Sequence, residues 1–428
     1  MRKDDASSQF FAFCCRTASS GIYSHILCGS FLRMHGNVVK SACCRHETEE
    51  KPEKGLQKAE NADPADDGEV RKTGTEAGER TVTRMEKKLS FASDYMKGAH
   101  PALMERLAQT NMMETAGYGQ DSFSESARQK IREACGCPRA RVEFLVGGTQ
   151  TNATVIDALL QSWQGVVAAQ TGHIATHEAG AIEACGHKVL TLPHTNGKLD
   201  PAVVRACLAD FHADGNRDHM VAPGMVYISH PTEYGTLYSK KDLQDLRKVC
   251  DEYGIPLYLD GARLAYALAC PENDLTLCDL ADLCDVFYIG GTKCGALLGE
   301  AVVVPDPDRI PAFFTIIKQH GALLAKGRIL GIQFDVLFTD GLYERIGLPA
   351  MKAAAQIRAA LEEKGYRQCF DSPTNQIFCI MENRRLEAFG ESVEYSFWEK
   401  YDDSHTVIRL ATDWGTTDQE TQALIGLL

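Results

Sequence analysis

The chain has 428 residues, a formal net charge of −13 and 16 cysteines. A chain of this length can bury a large core, and its acidic balance argues against a nucleic-acid surface, which requires a dense basic face. Its apolar runs are too short to span a bilayer. The cysteines are scattered, form no CxxC pair and lie among apolar residues, which is typical of reduced thiols in an intracellular protein and argues against a metal site.

Residues 1–85 differ in composition from the rest of the chain. The stretch 47–84 is charged, rich in Ala, Gly and Thr, and contains no aromatic residue, so it cannot bury enough apolar surface to offset its ordering entropy. We therefore interpret residues 1–85 as a disordered or targeting extension. A start codon chosen too early is an equal alternative, because Met85 directly precedes the first segment of globular character. We expect a cytoplasmic location, with organelle targeting by residues 1–45 as the alternative.

From Phe91 onward, strands and helices alternate. Helical periodicity predicts helices at 149–163, with Trp163 on the buried side, and at 175–185 and 240–253. Short apolar runs predict strands at 142–146, 166–169, 188–192, 225–229, 256–259, 286–289 and 301–304. The alternation predicts a three-layer α/β/α domain with a mostly parallel sheet, which together with an N-terminal arm covers residues 86–346.

After about Gly347 the pattern changes. It predicts helices at 351–364 and 418–428 and strands at 376–381 and 407–411. Because two helices and two strands no longer alternate in the earlier rhythm, residues 347–428 are predicted to form a smaller α+β domain.

Three segments that contain candidate functional residues follow predicted strands, and open parallel sheets bind ligands at such strand ends. The Gly-Gly-Thr loop 147–149 leads into a helix whose free N–H groups suit phosphate, although an ordinary loop with a Thr cap has the same pattern. Asp260 ends a buried strand and needs a cationic partner, either Arg263 or a protonated pyridine nitrogen. Lys293 lies among small residues; most loop lysines are solvated, but one shielded from water becomes an imine-forming amine.

A phosphate site, a carboxylate and a shielded lysine, in this chain order, meet the needs of a pyridoxal phosphate enzyme. From about Phe91 to its end, the chain resembles the threonine aldolases of the β-eliminating lyase group, which are pyridoxal phosphate enzymes of the aspartate-aminotransferase fold (fold type I). The motifs that carry the resemblance are Phe91-Ala-Ser-Asp94, Tyr118-Gly-Gln-Asp121, Gly148-Thr-Gln-Thr-Asn152, His173-Ile-Ala-Thr-His-Glu178, Asp260-Gly-Ala-Arg263, Gly291-Thr-Lys293 and Val407-Ile-Arg409-Leu410.

The resemblance implies roles for the residues around the cofactor. Lys293 would carry the pyridoxal phosphate, Asp260 would keep its ring nitrogen protonated, and His173 would lie against the ring face. Glu178 would orient groups near His173 or be an ordinary helix residue. The residues implied in phosphate binding are Gly148, Thr149, Arg263 and Thr292.

The resemblance also implies how the substrate is held. Arg409 would bind its carboxylate through a two-pronged guanidinium contact, and Ser93 would add a second contact. One position departs from the family, because its well-known branch has a His where this chain has Glu233. That His is thought to act on the β-hydroxyl of the substrate. Here Glu233 would contact the substrate and accept the same proton, directly or through water, with His173 as the alternative base and His230 and His177 as further candidates.

The resulting prediction is a lyase that cleaves threonine or allo-threonine to glycine and acetaldehyde by a retro-aldol reaction. The alternative keeps the cofactor but changes the reaction to β-elimination, transamination or racemisation, because the same electron sink serves all of them. The resemblance implies a homodimer or homotetramer with the cofactor site between subunits. Lys318 and Lys326 are candidates for phosphate contacts across that interface, and solvated loop lysines are the equal alternative.

Overall fold

The apolar runs of the sequence form the strands of one central sheet and two smaller ones. A computed structural model of the protein describes residues 88–428, so the interpretation of residues 1–85 lies outside the described residues. The strands are β1 (Leu89–Ser90), β2 (Arg141–Leu145), β3 (Gln164–Ala169), β4 (Lys188–Leu192), β5 (Ala222–Ser229), β6 (Leu257–Asp260), β7 (Val286–Gly290), β8 (Glu300–Val304), β9 (Gln376–Glu382), β10 (Val393–Glu394), β11 (Ser396–Lys400) and β12 (His405–Ala411).

Apolar faces, N-terminal capping residues and glycines at helix ends determine where the helices between these strands begin and end. The α-helices are α1 (Pro101–Thr110), α2 (Ser122–Ala134), α3 (Gly148–Leu159), α4 (His173–Thr176), α5 (Ala181–Ala184), α6 (Pro201–Ala213), α7 (Lys240–Tyr253), α8 (Leu264–Leu268), α9 (Leu277–Leu283), α10 (Phe313–Gln319), α11 (Arg328–Leu337), α12 (Leu342–Arg345), α13 (Leu348–Glu363), α14 (Asn383–Ser392) and α15 (Asp418–Leu427). Short 3-10 turns occupy Arg217–His219 and Pro307–Arg309.

The central sheet has seven strands in the order β2-β8-β7-β6-β5-β3-β4. Strand β8 runs antiparallel to both of its neighbours, β2 and β7, and the other neighbouring pairs are parallel. The carboxyl ends of the parallel strands therefore meet at one edge, and the loops that follow them lie side by side. This agrees with the predicted mostly parallel sheet.

Both faces of the central sheet are covered. In β5, Val226 and Ile228 pack into one buried apolar cluster, while the alternate residues Met225 and Tyr227 pack into another. Because side chains alternate between the faces of a strand, the two clusters lie on opposite sides of the sheet. The predicted three-layer arrangement is confirmed.

Helix ends explain where the sequence prediction succeeded and where it was wrong. Helix α7 matches its predicted range, since Ser239 and Asp242 form a capping box at its start and Gly254, at φ 67°, ends it. By contrast, α3 ends at Leu159 and Trp163 is 62% exposed, so its predicted burial was wrong.

The single helix predicted at 175–185 is also replaced by two short ones. Helices α4 and α5 are separated by Ala179 and Gly180, whose φ angles are 51° and 74°. A residue with positive φ cannot continue a right-handed helix, so the chain turns there.

The C-terminal part contains a three-stranded antiparallel sheet, β11-β12-β9. Phe91 of the N-terminal arm is buried in the same apolar cluster as Ile377 and Ile408 from this sheet. Strand β1 of the arm pairs with β10, with Leu89 opposite Val393. The predicted α+β character of this part is confirmed, while a domain boundary near residue 347 stays a prediction.

Three further properties concern the described residues alone. Among residues 88–428, no helix is long and apolar enough to cross a membrane. The same residues contain no group of three or more His, Cys, Asp or Glu side chains placed to hold a metal ion. Every cysteine in this range is a free thiol.

Candidate active site

Two adjoining cavities lie at the edge of the central sheet where the parallel strands end. The larger has a volume of about 500 Å³ and the smaller about 40 Å³. Both are lined by His173, Glu233, Arg263 and Lys293, so they adjoin each other, and we call the two together the cleft. The sequence predicted all four of these residues as site residues.

Lys293 lies in the loop after β7, and its side chain lines both cavities. Burial lowers the pKa of Lys293, and the nearby positive charge of Arg263 acts in the same direction, although neighbouring carboxylates oppose it. The Tyr266 hydroxyl donates a 2.6 Å hydrogen bond to the Lys293 carbonyl oxygen and fixes the backbone. A lowered pKa increases the share of neutral amine, the form that attacks a carbonyl group.

Asp260 ends β6 and is only 4% exposed. Its Oδ2 accepts hydrogen bonds from the Tyr227 hydroxyl (2.6 Å) and Asn152 Nδ2 (3.0 Å), and its Oδ1 accepts one from Ala262 N (3.0 Å). Burial raises the pKa of Asp260, but the His173 imidazole and these side-chain hydrogen bonds outweigh burial, so the pKa is lowered. Asp260 therefore carries its negative charge.

Arg263 does not pair with Asp260, so that alternative from the sequence was wrong. Its Nε and Nη2 instead donate to the two carboxylate oxygens of Asp94, at 2.6 and 3.0 Å. Burial would raise the pKa of Asp94, but the Arg263 charge helps to hold it well below its usual range. Within the described residues, Asp260 is left with neutral hydrogen-bond donors and no salt bridge.

The predicted phosphate loop leads directly into α3. Gly147 caps this 12-residue helix without a side-chain hydrogen bond, so the first N–H groups are not capped by a side chain. Gly148 lines the smaller cavity, and a Cβ there would lie 3.2 Å from the Tyr288 hydroxyl oxygen. Thr149 is exposed and Thr292 half-buried; neither lines the cleft, and their predicted phosphate contacts stay predictions.

These residues fit pyridoxal phosphate. The cofactor requires an anion site, a carboxylate for its ring nitrogen and an amine for its aldehyde. Gly148 at the uncapped start of a helix, the charged Asp260 without a salt bridge, and the shielded Lys293 all line one small cavity. Each could hold the part of the cofactor that its chemistry suits.

His173 begins α4, and its ring lines both cavities. Its Nδ1 lies 2.7 Å from Oε1 of Glu178, which is 4% exposed and also accepts from Asn152 Nδ2 at 2.7 Å. Because Asn152 also contacts Asp260, one hydrogen-bond network connects His173 with Asp260. The contact with Glu178 therefore orients His173, and this was one of the two roles predicted for Glu178.

Glu233 contributes a second buried carboxylate to the cleft. It is 8% exposed, and its Oε1 accepts hydrogen bonds from His173 N (2.9 Å) and the Ser229 hydroxyl (2.7 Å). Burial raises the pKa of Glu233 despite these hydrogen bonds. A carboxylate with a raised pKa is a stronger base than an ordinary one.

Arg409 lies on β12 and lines the larger cavity. Its Nη1 donates to Gln376 Oε1 and its Nη2 to Ala92 O, both at 3.1 Å, whereas its buried Nε has no partner in the described part of the chain. Burial lowers the pKa of Arg409 to about 10, and the charge of Arg263 adds to this effect. The hydroxyl of Ser93, next to Ala92 in sequence, is likewise buried without a partner among residues 88–428.

The two other histidines considered as bases occupy different places. His177 lines the larger cavity, with its ring centre 5.7 Å from that of His173. Burial lowers its pKa, and the charges of His173 and Arg409 add to this. His230 is 1% exposed, lines neither cavity, and has its pKa lowered by burial to about 4. Only His177 is therefore placed to reach a molecule in the cleft.

Lys318 and Lys326 are both exposed on the chain. The Lys318 Nζ lies 4.6 Å from the centre of the Tyr118 ring, a cation–π contact. Neither lysine lines the cleft of its own chain, and their contact with a second subunit stays a prediction.

Sequence reasoning gave no role to four residues that shape the site: Asp94, Asn152, Tyr227 and Gln376. Asp94 and Asn152 stand inside motifs that carried the resemblance, which was an available signal. Tyr227 lies on β5 and reaches Asp260 from the neighbouring strand, a contact that depends on the strand order of the sheet. Gln376 meets Arg409 across β9 and β12, which likewise required the structure.

Comparison with known proteins decides the family. Residues 90–383 match the family described as beta-eliminating lyase, which is more than half of the chain. The chain belongs to the beta-eliminating lyase family. The chain is 31% identical over 305 residues to the low specificity L-threonine aldolase of Pseudomonas sp. (strain NCIMB 10558), covering 70% of this chain and 86% of the relative. The resemblance read from the sequence is confirmed.

Solved structures agree with that assignment. The chain is 44% identical to a threonine aldolase from Leishmania major, with a TM-score of 0.77, covering 79% of this chain and 98% of the other. An aspartate aminotransferase from Thermus thermophilus is 15% identical, with a TM-score of 0.59 over 79% of this chain and 90% of the other. The second likeness shows the fold alone. The predicted aspartate-aminotransferase fold and the predicted lyase class are confirmed.

Proposed function

We propose that this lyase uses pyridoxal phosphate to cleave a β-hydroxy-α-amino acid, threonine or allo-threonine, into glycine and acetaldehyde. The observation that carries the proposal is the cleft itself. It brings Lys293, Asp260 and Arg409 together with two groups that can accept a proton, Glu233 and His173. The threonine aldolases among the relatives support the same reaction.

The residues around the smaller cavity hold the cofactor in this proposal. When bound, pyridoxal phosphate supplies an electron sink for the bonds at the amino acid's α-carbon. Lys293 would provide the amine for the cofactor aldehyde, and the N–H groups at the start of α3, beside Gly148, would hold its phosphate. Asp260, which is charged, would hold a proton on the ring nitrogen. His173 would contact the cofactor, and Glu178 fixes the orientation of the His173 ring.

Arg409 and Ser93 bind the substrate carboxylate in this proposal. The partnerless Arg409 Nε and Ser93 hydroxyl are buried donors, which a carboxylate would satisfy. Arg263 also lines the larger cavity and lies close enough to affect the pKa of Arg409. Because Arg263 lines both cavities, a contact with the substrate carboxylate is proposed beside the phosphate contact predicted from the sequence. Two neighbouring guanidinium groups would attract an anion between them.

Glu233 accepts the proton of the substrate β-hydroxyl, either directly or through water, and His173 is the alternative acceptor. Removing this proton forms the aldehyde C=O bond as the Cα–Cβ bond breaks. The electron pair stays with the α-carbon, where the cofactor would stabilise it, and a proton taken up there gives glycine. The raised pKa of Glu233 suits this task, and the hydrogen bonds from His173 N and Ser229 fix its Oε1. The position takes over the role of the His found in the well-known branch of the family.

The deciding experiment incubates the purified protein with threonine and with allo-threonine and measures glycine and acetaldehyde together. Equal amounts of the two products are expected. Ammonia with 2-oxobutyrate would show elimination, a requirement for a keto-acid acceptor would show transamination, and inverted amino acid would show racemisation. Any of these as the main reaction would replace the aldolase proposal.

A further inference from the structure

Glu300 is a buried carboxylate that the proposed function does not use. It is the first residue of β8, and because β8 runs antiparallel, it begins at the edge where β2 and β7 end. Its partners in the sheet are Leu145 on one side and Gly290 on the other. The loop with Gly148 follows the first, and the loop with Lys293 follows the second. Glu300 thus lies between the two loops of the smaller cavity.

A carboxylate that is buried at this position requires neighbouring groups that stabilise it. Glu300 is 3% exposed, and the rest of β8, residues 301–304, is apolar and fully buried. Burial raises the pKa of Glu300 to about 7, while hydrogen bonds from the Gly291–Thr292 turn and the charge of Lys293 oppose this rise. Burying a carboxylate costs stability unless nearby groups compensate it. The compensating groups here all belong to the loop that carries Lys293.

The loop is held close to Glu300 by a tight turn. Gly291 N donates a 2.9 Å hydrogen bond to the Glu300 carboxylate. A Cβ at Gly291 would lie 2.6 Å from Gly299 O, so only glycine allows this approach. The Thr292 hydroxyl in turn accepts from Gly299 N at 3.0 Å. These contacts therefore fix the backbone on both sides of the turn that leads to Lys293.

We propose that Glu300 is a positioning residue for Lys293, which it serves by fixing the Gly291–Lys293 turn and by placing a carboxylate next to that turn. It lines neither cavity, so it acts through the turn and not by touching substrate. The proposal rests on the proposed function, since it assumes that Lys293 binds the cofactor. Titratable groups that respond to the Glu300 charge are Lys293, Cys294, Tyr258, Tyr288 and Tyr343, and Asp260 raises the pKa of Glu300 itself.

Two substitutions separate the hydrogen bond from the charge. Glu300→Gln keeps an oxygen for the Gly291 N–H but removes the charge, whereas Glu300→Ala removes both. Glu143→Gln is the matched control, because Glu143 is a largely buried carboxylate on the neighbouring strand β2 that pairs with Arg128. All three are purified with pyridoxal phosphate, and their melting temperatures and absorption spectra are compared with those of the wild type.

The expected results differ for each variant. At pH 8, above the pKa of about 7 to which burial raises Glu300, the bound cofactor of Glu300→Gln should absorb more in its deprotonated form than that of the wild type. Glu300→Ala should release the cofactor on dilution roughly tenfold faster, the factor for losing one charge-assisted hydrogen bond. In both, kcat should fall while the KM for the amino acid stays within about twofold. Glu143→Gln should match the wild type in cofactor absorption, in cofactor release, and in kcat and KM.

Three results would overturn the inference: unchanged absorption in Glu300→Gln, unchanged cofactor release in a folded Glu300→Ala, or equal effects in Glu143→Gln. If Glu300→Ala does not fold, the absorption of Glu300→Gln decides alone. Borohydride reduction and peptide mapping of the wild type separate this inference from the proposed function. A wild type without label on Lys293 refutes the proposed function, whereas a labelled wild type with unaltered Glu300 variants refutes only the role of Glu300.

Discussion

Replacing Glu233 by Gln tests the proposed proton acceptor with little change of shape. The amide oxygen of Gln can still accept the hydrogen bonds that His173 N and Ser229 give to Glu233 Oε1. The variant loses the negative charge and, with it, the ability to take a proton. Cofactor binding and the KM for threonine are therefore expected to stay close to those of the wild type.

The expected size of the effect follows from the chemistry. General base catalysis contributes roughly a hundred- to ten-thousand-fold in rate, which corresponds to about 3–5 kcal/mol of barrier. We expect kcat for acetaldehyde release to fall within this range. The stability of the fold should change in the opposite sense and increase in Glu233→Gln, because burial raises the pKa of Glu233. A raised carboxyl pKa means that the wild type loses stability as pH rises through it, and the Gln variant avoids this loss.

The assay is acetaldehyde release from threonine across a pH series. Since Glu233 must be deprotonated to act, wild-type kcat/KM should rise with pH through a pKa above the ordinary range of Glu, and this rise should be absent from Glu233→Gln. Glu233→His should recover part of the rate, because relatives have an imidazole here. A Glu233→Gln variant within about threefold of wild-type kcat, with the same pH profile, would refute the assignment and shift it to His173.

Further outcomes follow from the same site. Borohydride reduction of the protein purified with pyridoxal phosphate should label Lys293, and a label on another lysine would exclude Lys293 as the cofactor residue. Arg409→Lys should raise the KM for threonine roughly tenfold or more with cofactor absorbance unchanged, because Lys lacks the planar pair of donors; an unchanged KM would contradict the role of Arg409. A chain beginning at Met85 should remain soluble and active, and loss of cofactor-loaded protein would show that residues 1–84 are needed. Light scattering should give at least a dimer, and an active monomer would refute a site shared between subunits.

The fold was predictable where its causes are local. The range of α7 is set by the cap of Ser239 and the left-handed Gly254, both of which are visible in the sequence. Trp163 was misplaced because the stop of α3 depends on the extended backbone of Leu160 and not on a glycine or proline signal. A local pattern therefore indicates the existence of an element better than its last residue.

The site was predictable wherever strand ends brought residues to one edge. The positions of Lys293 and Asp260 could be predicted from the parallel sheet alone. The partner of Arg263 was not predictable, because Asp94 lies 169 positions away in the sequence while Asp260 is three positions away. Proximity in sequence favoured the wrong pair. A long-range ion pair between the arm and the sheet has no local signature.

The N-terminal arm gives the cleft an unusual order of assembly. Asp94 contacts Arg263 and also accepts a hydrogen bond from Asn375, and Arg409 donates to Ala92 across 317 positions. Ala92 thus meets its partner Arg409 only when β12, near the end of the chain, has been made. During synthesis on the ribosome, the Lys293 loop exists long before the carboxylate end of the cleft. Capture of substrate must therefore be among the last properties that the newly made protein acquires, since contacts between distant segments form late.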